Sequence, residues 1–424
     1  MKLLIKGGRV IDPGNDLNDN LDILVDGGKI AKVARNIALD SAETINAEGK
    51  VVIPGLVDMH VHLREPGRED KETVFSGTKA ALKGGVTSVL AMPNTSPAMD
   101  CAETLKLLKD IIKKTAQANV FIAAAITRGR AGEQLNDIAS LKEAGAVAIS
   151  DDGSSVDKEE VLLEALKRSR GLDILVVCHC EDKSLSGNGV MNLGFVSTRM
   201  GLRGISRESE YRRVERDIEL AGKAGARVHI AHVSCKETVE IIAHARKKGV
   251  KVTAETAPHY FSLSEEALVR YNTNMKINPP LRSKEDVAAI RHGLKAGTID
   301  AIASDHAPHT ESEKDIEFDR AEFGAIGLET ELAVGITELV ESGLLSLPEL
   351  VRKMSLNPAK ILGIDRGTLS AGSAADIAII DPGKEWIVKK EDFISRSKNS
   401  PFIGMALKGI VEYTILSGNV AYKR

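Results

Sequence analysis

Two kinds of hydrophobic patterning divide the chain. Residues 2–54 carry short runs in which apolar and polar positions alternate, LLIKGGRVI, LDILVDGGKIAKV and ETINAEGKVVIPG, separated by glycine and polar turns. A period of two with this punctuation predicts hairpins that bury one face. The same style returns near the end of the chain in GTLSAGSAADIAIID, EWIVKK and ALKGIVEYTILSGNVAYKR, with DPG and SGN turns between the runs. Between these ends the pattern changes. Eight strand-like apolar runs, GLVDMHVHL, TSVLAMPN, VFIAAAIT, AVAIS, DILVVCH, RVHIAHV, KVTAETA and IDAIAS, alternate with stretches of helical periodicity such as AETLKLLKDIIKKTAQ and KETVEIIAHARKKGV. Many of those stretches stop at glycine, a common helix terminator.

Eight consecutive βα units predict an α/β fold: a TIM-type (β/α)8 barrel, with chemistry at the C-terminal ends of its strands. Pro54-Gly55 and the Gly363 to Gly367 stretch mark the limits of the barrel. The expected organisation is therefore residues 1–54 and 366–424 pairing into one small β-sandwich, with the barrel at 55–365. The 424 residues suit this division, since a barrel absorbs about 250 and insertions more. Only 3% of residues are aromatic against 43% apolar, so Val, Ile, Leu and Ala must fill the interior.

A net charge of -3, with no basic patch carrying interleaved aromatics, gives no electrostatic reason to expect a nucleic-acid partner. Lys6 and two glycines break the first apolar run, and nowhere do about 18 apolar residues follow one another. A soluble cytoplasmic protein without a membrane partner is expected. Four cysteines are too few for a disulfide framework in a chain this long. Cys178 and Cys180 flank His179 at period two, so on a strand they face away from it and read as packed thiols.

Candidate chemistry gathers at the strand ends: His60 and His62, Asp152, His179, His232 and Asp305. Alternation in DMHVHLR puts Asp58, His60, His62 and Arg64 on one face, so two imidazoles can converge on one ion. His179, His232 and Asp305 on later strands can hold a second. Two ions roughly 3.5–4 Å apart lower the pKa of a shared water toward neutrality. Asp151 and Asp152 are neighbours facing opposite ways, and spacing does not choose between them. Asp305 is suited both to ligate and to accept a proton from that water. His229, three positions before His232, is expected on the opposite face of its strand. His244 and His292 fall in helical patterns, and spacing assigns neither His259 nor His306. The charged stretch HTESEKDIEFDRAEFG after the eighth strand reads as a loop over the barrel mouth, with a solvated surface excursion as its alternative.

DMHVHLREP and ASDHAPHTESEK resemble the two dihydroorotase signatures, and AMPNT, ISDDG, KINPPLR and NPAKILG are similar to type I dihydroorotases over nearly the whole chain. This resemblance implies reversible cyclisation of N-carbamoyl-L-aspartate to L-dihydroorotate and water, in pyrimidine biosynthesis. It implies two Zn2+ ions bridged by Asp152, with His60 and His62 on the first and His179 and His232 on the second. Asp305 binds the first ion and shuttles the proton. It further implies substrate contacts by His62, a carboxylate clasp of Arg64, Asn94 and His309, and ring-amide contacts by Asn278 and the Phe323-Gly324 backbone. A homodimer and a complex with aspartate transcarbamoylase are the partners it suggests. Hydantoinases, dihydropyrimidinases and allantoinases resemble the same barrel but bridge their metals with a carboxylated lysine, and AVAISDDGSSV contains no lysine. The alternatives are another cyclic amidohydrolase such as an allantoinase, or a non-catalytic dihydroorotase-like partner of the transcarbamoylase.

Overall fold

The structure is a computed structural model that describes residues 2–38 and 42–424. Five strands open the chain: β1 (Lys2–Asp12), β2 (Leu17–Asp26), β3 (Lys29–Ala34), β4 (Glu43–Asn46) and β5 (Val51–Pro54). The barrel strands begin with β6 (Leu56–Val61), β7 (Val86–Ala91), β8 (Asn119–Ala124), β9 (Ala146–Ile149) and β10 (Leu175–Cys178). An insertion carries the short pair β11 (Met191–Asn192) and β12 (Gly204–Ile205). The barrel resumes with β13 (Val228–Ile230), β14 (Val252–Thr256) and β15 (Ala301–Ile302), and β16 (Ile377–Ile387), β17 (Ala406–Leu416) and β18 (Asn419–Lys423) end the chain.

All eight apolar runs become the parallel strands β6 to β10 and β13 to β15, hydrogen-bonded in sequence order. Closure between the last and first strands is made by a bridge from Val61 to His306, with the His62 N–H donating to the His306 carbonyl at 2.9 Å. The strand interiors divide cleanly into two faces. Val57, Met59, Leu90, Ala123, Ala148, Leu175, Val177 and Ala301 pack with Ala359, Ile361 and Leu362 of the helix Asn357–Leu362, filling the barrel. The opposite set, including Ile122, Ile149, Val176 and Ile230, packs on the surrounding helices.

The terminal segments pair into one continuous sheet in the order β18-β17-β16-β5-β1-β2-β3, with β4 alongside β1. Strands from the two ends of the chain meet where β16 runs antiparallel to β5, Ile379 opposite Val52. Ile5, Val10, Ile23, Ile377 and Ile415 form its own core. Between β10 and β13, the buried Arg282 anchors the insertion by donating to Asn192 Oδ1 at 3.0 Å, the Ile205 carbonyl at 3.2 Å and Glu210 at 3.3 Å. No helix among the described residues is long and apolar enough to cross a membrane.

Candidate active site

The C-terminal ends of the barrel strands bring six side chains to one buried centre. His60 is the last but one residue of β6, and His62 follows its end. His60 Nε2 is 3.2 Å from Asp152 Oδ1 and 3.7 Å from Asp305 Oδ1. His62 Nε2 is 3.5 Å from Asp152 Oδ2 and 3.4 Å from Asp305 Oδ1. On the other side, His179 Nδ1 and His232 Nε2 are 2.8 Å apart, and each lies 3.6 Å from Asp152 Oδ1. Asp152 thus stands between the two histidine pairs.

Strand geometry alone does not produce this convergence. Interior positions on β9, β10 and β15 continue to Asp152, His179 and Asp305 by simple alternation, but His232 is out of step with the interior Ala231 and takes φ of 35°. Left-handed backbone is costly for non-glycine residues and collects where function demands it. It turns the His232 side chain inward. Arg64 reaches the expected side from a loop and not from the strand: β6 ends at Val61, and Arg64 takes φ 62° beyond it. Asp58 faces the backbone, accepting from the N–H groups of His60 and Ser304 at 3.0 and 3.2 Å, and lies off the site.

The choice that spacing leaves open is decided by hydrogen bonding. Asp151 accepts from the Thr127 N–H at 3.0 Å and from the Thr127 hydroxyl, pinning the end of β9 to the loop after β8. Asp152 keeps its side chain for the centre.

Donor chemistry at the centre suits cations. Nδ1 of His60 donates to Glu255 Oε1 at 2.7 Å, and Nδ1 of His62 to Asn94 Oδ1 at 2.8 Å. Each bond holds the proton on the outer nitrogen and leaves Nε2 as a lone pair facing the carboxylates, the arrangement seen at metal-binding histidines. His60 Nε2 and Asp152 Oδ1 are buried without a hydrogen-bond partner. Lone pairs opposed to carboxylate oxygens at 3.2–3.7 Å repel unless a cation lies between them. Two metal-compatible groups follow from the distances, His60-Asp152-His232 and His60-His62-Asp305. The two share His60, and His179 joins through its contact with His232.

Electrostatics agree. Burial pushes Asp305 up, but the surrounding imidazoles of His62, His60 and His232 outweigh it and hold the carboxyl below its usual range. Asp152 is likewise held well below, against burial, chiefly by His60, His179 and His232. Burial opposes charge on His179, yet Asp152 and Glu181 raise it to about 9. Protons on His60 and His179, both raised against burial by the neighbouring carboxylates, do for Asp152 and Asp305 what a cation would do.

Beside the cluster opens a pocket of about 370 Å³ lined by Arg64, Asn94, Asn278, His309, Phe323 and Gly324 together with His62 and the central residues. Arg64 donates to the Pro308 carbonyl at 3.1 Å, and its Nη2 lies 3.3 Å from His309 Nε2. Burial draws Arg64 down to about 10, so it remains a cation at neutral pH. Asn278 Nδ2 donates to Glu181 at 3.2 Å. One detail departs from the expected ring-amide contacts. The Gly324 N–H donates to the Lys276 carbonyl at 2.9 Å, and its carbonyl accepts from Lys314 and Asn399 at 3.0 and 3.1 Å. Phe323, whose main chain makes no hydrogen bond among the described residues, is the open member of that pair.

A dihydro-orotase-like family model matches residues 49–238, and an amidohydrolase family model matches residues 281–422. A dihydroorotase from Elusimicrobium minutum is 54% identical over 420 residues, covering 99% of this chain and 97% of that protein. One from Geobacter metallireducens is 52% identical with 100% of both chains covered. The chain belongs to the dihydroorotase family. Among solved structures, the L-hydantoinase (dihydropyrimidinase) from Arthrobacter aurescens has a TM-score of 0.89 at 28% identity, covering 99% of this chain and 95% of that one. A D-hydantoinase from Bacillus sp. AR9 gives 0.87 at 26%, with the same coverage.

Several residues of this dihydroorotase-family site escape motif reading. Glu255 on β14 orients His60 and also lies 3.3 Å from His229 Nε2, while His229 Nδ1 meets Thr253 at 2.8 Å. His229 therefore belongs to the barrel interior beneath the site, not to the outer face expected from its spacing to His232; the left-handed turn at His232 breaks that count. Arg130 lines the pocket and donates to the Asp152 carbonyl at 2.5 Å. His259 is buried near Asp305, its pKa drawn down to about 4 by burial. His306 turns away from the centre, toward Glu72 at 3.3 Å. The cysteines are free, with Cys178 and Cys180 packed in the outer core.

Proposed function

We propose that this protein catalyses the reversible ring closure of N-carbamoyl-L-aspartate to L-dihydroorotate with loss of water. The observation that carries the reading is the pairing of a carboxylate-bridged histidine cluster with a neighbouring Arg64-His309 pocket. The cluster suits cleavage of a cyclic amide, and the pocket suits a substrate with a free carboxylate, which guanidinium binds through paired charge-assisted hydrogen bonds. Asn94 lines the pocket beside them.

The donor set of imidazoles and carboxylates, with inward lone pairs, fits Zn2+. His60 and His62 would hold one ion and His179 and His232 another, with Asp152 between them and Asp305 on the first. When bound, such ions supply a Lewis acid for the ring carbonyl and bring the pKa of water toward neutrality. The rest falls to the chain. In ring opening, water adds to the ring carbonyl carbon, Asp305 accepts the proton released, and the carbon–nitrogen bond breaks as Asp305 returns that proton to the ring nitrogen. Cyclisation runs these steps backward. Arg64 and His309 hold the substrate carboxylate, with His62 and Asn94 at its edge, and the open Phe323 backbone and Asn278 face the ring amides.

Hydantoinases share the fold, but AVAISDDGSSV, at the end of β9, offers Asp151 and Asp152 and no lysine, which favours an aspartate bridge. Assaying the purified zinc-loaded protein with dihydroorotate, hydantoin, allantoin and dihydrouracil tests the reading. Turnover of dihydroorotate at least a hundredfold above the others is expected; preference for a ring without a carboxylate would overturn it.

A further inference from the structure

A lysine outside every motif completes the anion pocket. Lys71 lies between β6 and the helix Val74–Lys83, is buried, and lines the same pocket. Its Nζ is 3.1 Å from His309 Nδ1 and 2.9 Å from Glu313 Oε1. We propose that Lys71 is a positioning residue that fixes His309 as the Nε2–H tautomer, so that His309 and Arg64 present two donors to one substrate carboxylate. The proposal rests on the carboxylate-binding reading of this pocket.

An ammonium has three donors and no acceptor, so at 3.1 Å it is matched by a lone pair on Nδ1, and this approach is shorter than the 3.3 Å of the Arg64 guanidinium to Nε2. In a neutral imidazole the proton then sits on Nε2. That nitrogen lies 3.3 Å from Arg64 Nη2, itself a donor only. Two donors this close without an acceptor between them make half of an anion site, and a carboxylate oxygen there receives a hydrogen from each. Burial, then the charges of Arg64, Lys71 and Lys314, push the His309 pKa down to about 2 against the opposing Glu313, which keeps the ring neutral.

Glu313 is what makes Lys71 necessary. Its Oε2 lies 3.4 Å from His309 Nδ1, and a carboxylate there favours a proton on Nδ1, which would turn the Nε2 lone pair toward the pocket. Lys71 engages Glu313 and occupies Nδ1 at once, preventing that exchange. Arg68 also donates to Glu313 at 2.8 Å, so the segment after His309 is docked by two cations while one of them sets the tautomer.

The test compares zinc-loaded wild type, Lys71→Met and Lys71→Arg, using 15N-histidine NMR with the His309 signals assigned through His309→Gln. Wild type should show unprotonated Nδ1 and protonated Nε2; Lys71→Met should reverse this. Its KM for dihydroorotate should rise roughly tenfold to a hundredfold, the range for a lost hydrogen bond to a charged group, while kcat changes by less than about threefold. Lys71→Arg should recover most of the KM. A wild-type His309 protonated on Nδ1, an unchanged tautomer in Lys71→Met, or a loss confined to kcat overturns the proposal. The wild-type spectrum decides even if Lys71→Met fails to fold. If wild type does not turn over dihydroorotate the functional reading fails, and the spectra still judge Lys71.

Discussion

His179 Nδ1 and His232 Nε2, from neighbouring barrel strands, face each other at 2.8 Å with Asp152 Oδ1 3.6 Å from both. Two imidazole nitrogens at this distance need either a shared proton or a shared cation. We expect His179→Ala or His232→Ala to lower bound zinc by about one ion per chain, with the helical and strand content unchanged. Metal analysis after dialysis, alongside circular dichroism, checks this; full zinc retention in either variant would remove the pair from the ligand set.

Asp305 sits 3.4 Å from His62 Nε2 and is held ionised. Ring opening uses the ionised carboxylate and cyclisation the protonated acid, so opening should rise with pH while cyclisation falls. Asp305→Asn should lower turnover in both directions by about 10²–10⁴-fold, the usual worth of a general acid–base group. Parallel pH profiles for the two directions would contradict the assignment.

Gly324 has φ 137°, and a Cβ there would lie 2.8 Å from Ala307 Cβ, 2.9 Å from the Ala307 carbonyl and 3.0 Å from His309 Nε2. Neither backbone conformation nor space admits a side chain. Gly324→Ala should displace His309 and the Phe323 backbone, raising KM for dihydroorotate more than it lowers the melting temperature. Steady-state kinetics with thermal unfolding test this, and an unchanged KM would count against Phe323-Gly324 as part of the pocket.

Lys314 donates from one Nζ to the carbonyls of Lys276, Glu322 and Gly324 at 3.3, 2.7 and 3.0 Å, tying down the loop over the barrel mouth. Burial, then the charge of Lys276, draw its pKa from 10.5 to about 7. With the folded value below the unfolded one, the unfolded chain binds more protons between about pH 7 and 10.5. Stability from this group is present above pH 10.5 and lost as pH falls through about 7. Wild type should therefore gain stability relative to Lys314→Met between pH 7 and 9, read from urea unfolding midpoints of the zinc-loaded proteins. Equal pH dependence in the two proteins would mean that Lys314 is not titrating there.

Much of the fold was legible because its periodicities are long and repeated. Every one of the eight apolar runs became a barrel strand, and the two terminal segments, expected to pair into one small sandwich, pair through one continuous sheet. The insertion around β11 and β12 was not legible: two-residue strands carry no period. Arg282, which anchors it, ends the KINPPLR motif, but nothing in that motif marks its partners Asn192, Ile205 and Glu210.

The sequence by itself determined the barrel and five of the six central side chains, leaving Asp151 and Asp152 as alternatives for the sixth, because strand alternation and residue chemistry are local properties. Tertiary structure decided what alternation does not encode. The left-handed turn at His232 redirects a side chain that a period-two count sends to the outer face. The Thr127 contact separates Asp151 from Asp152. The supports of the site, Glu255 on His60 and Lys71 on His309, join residues 195 and 238 positions apart. Such contacts exist only once the barrel has closed, because closure is what brings distant strand ends within hydrogen-bonding reach.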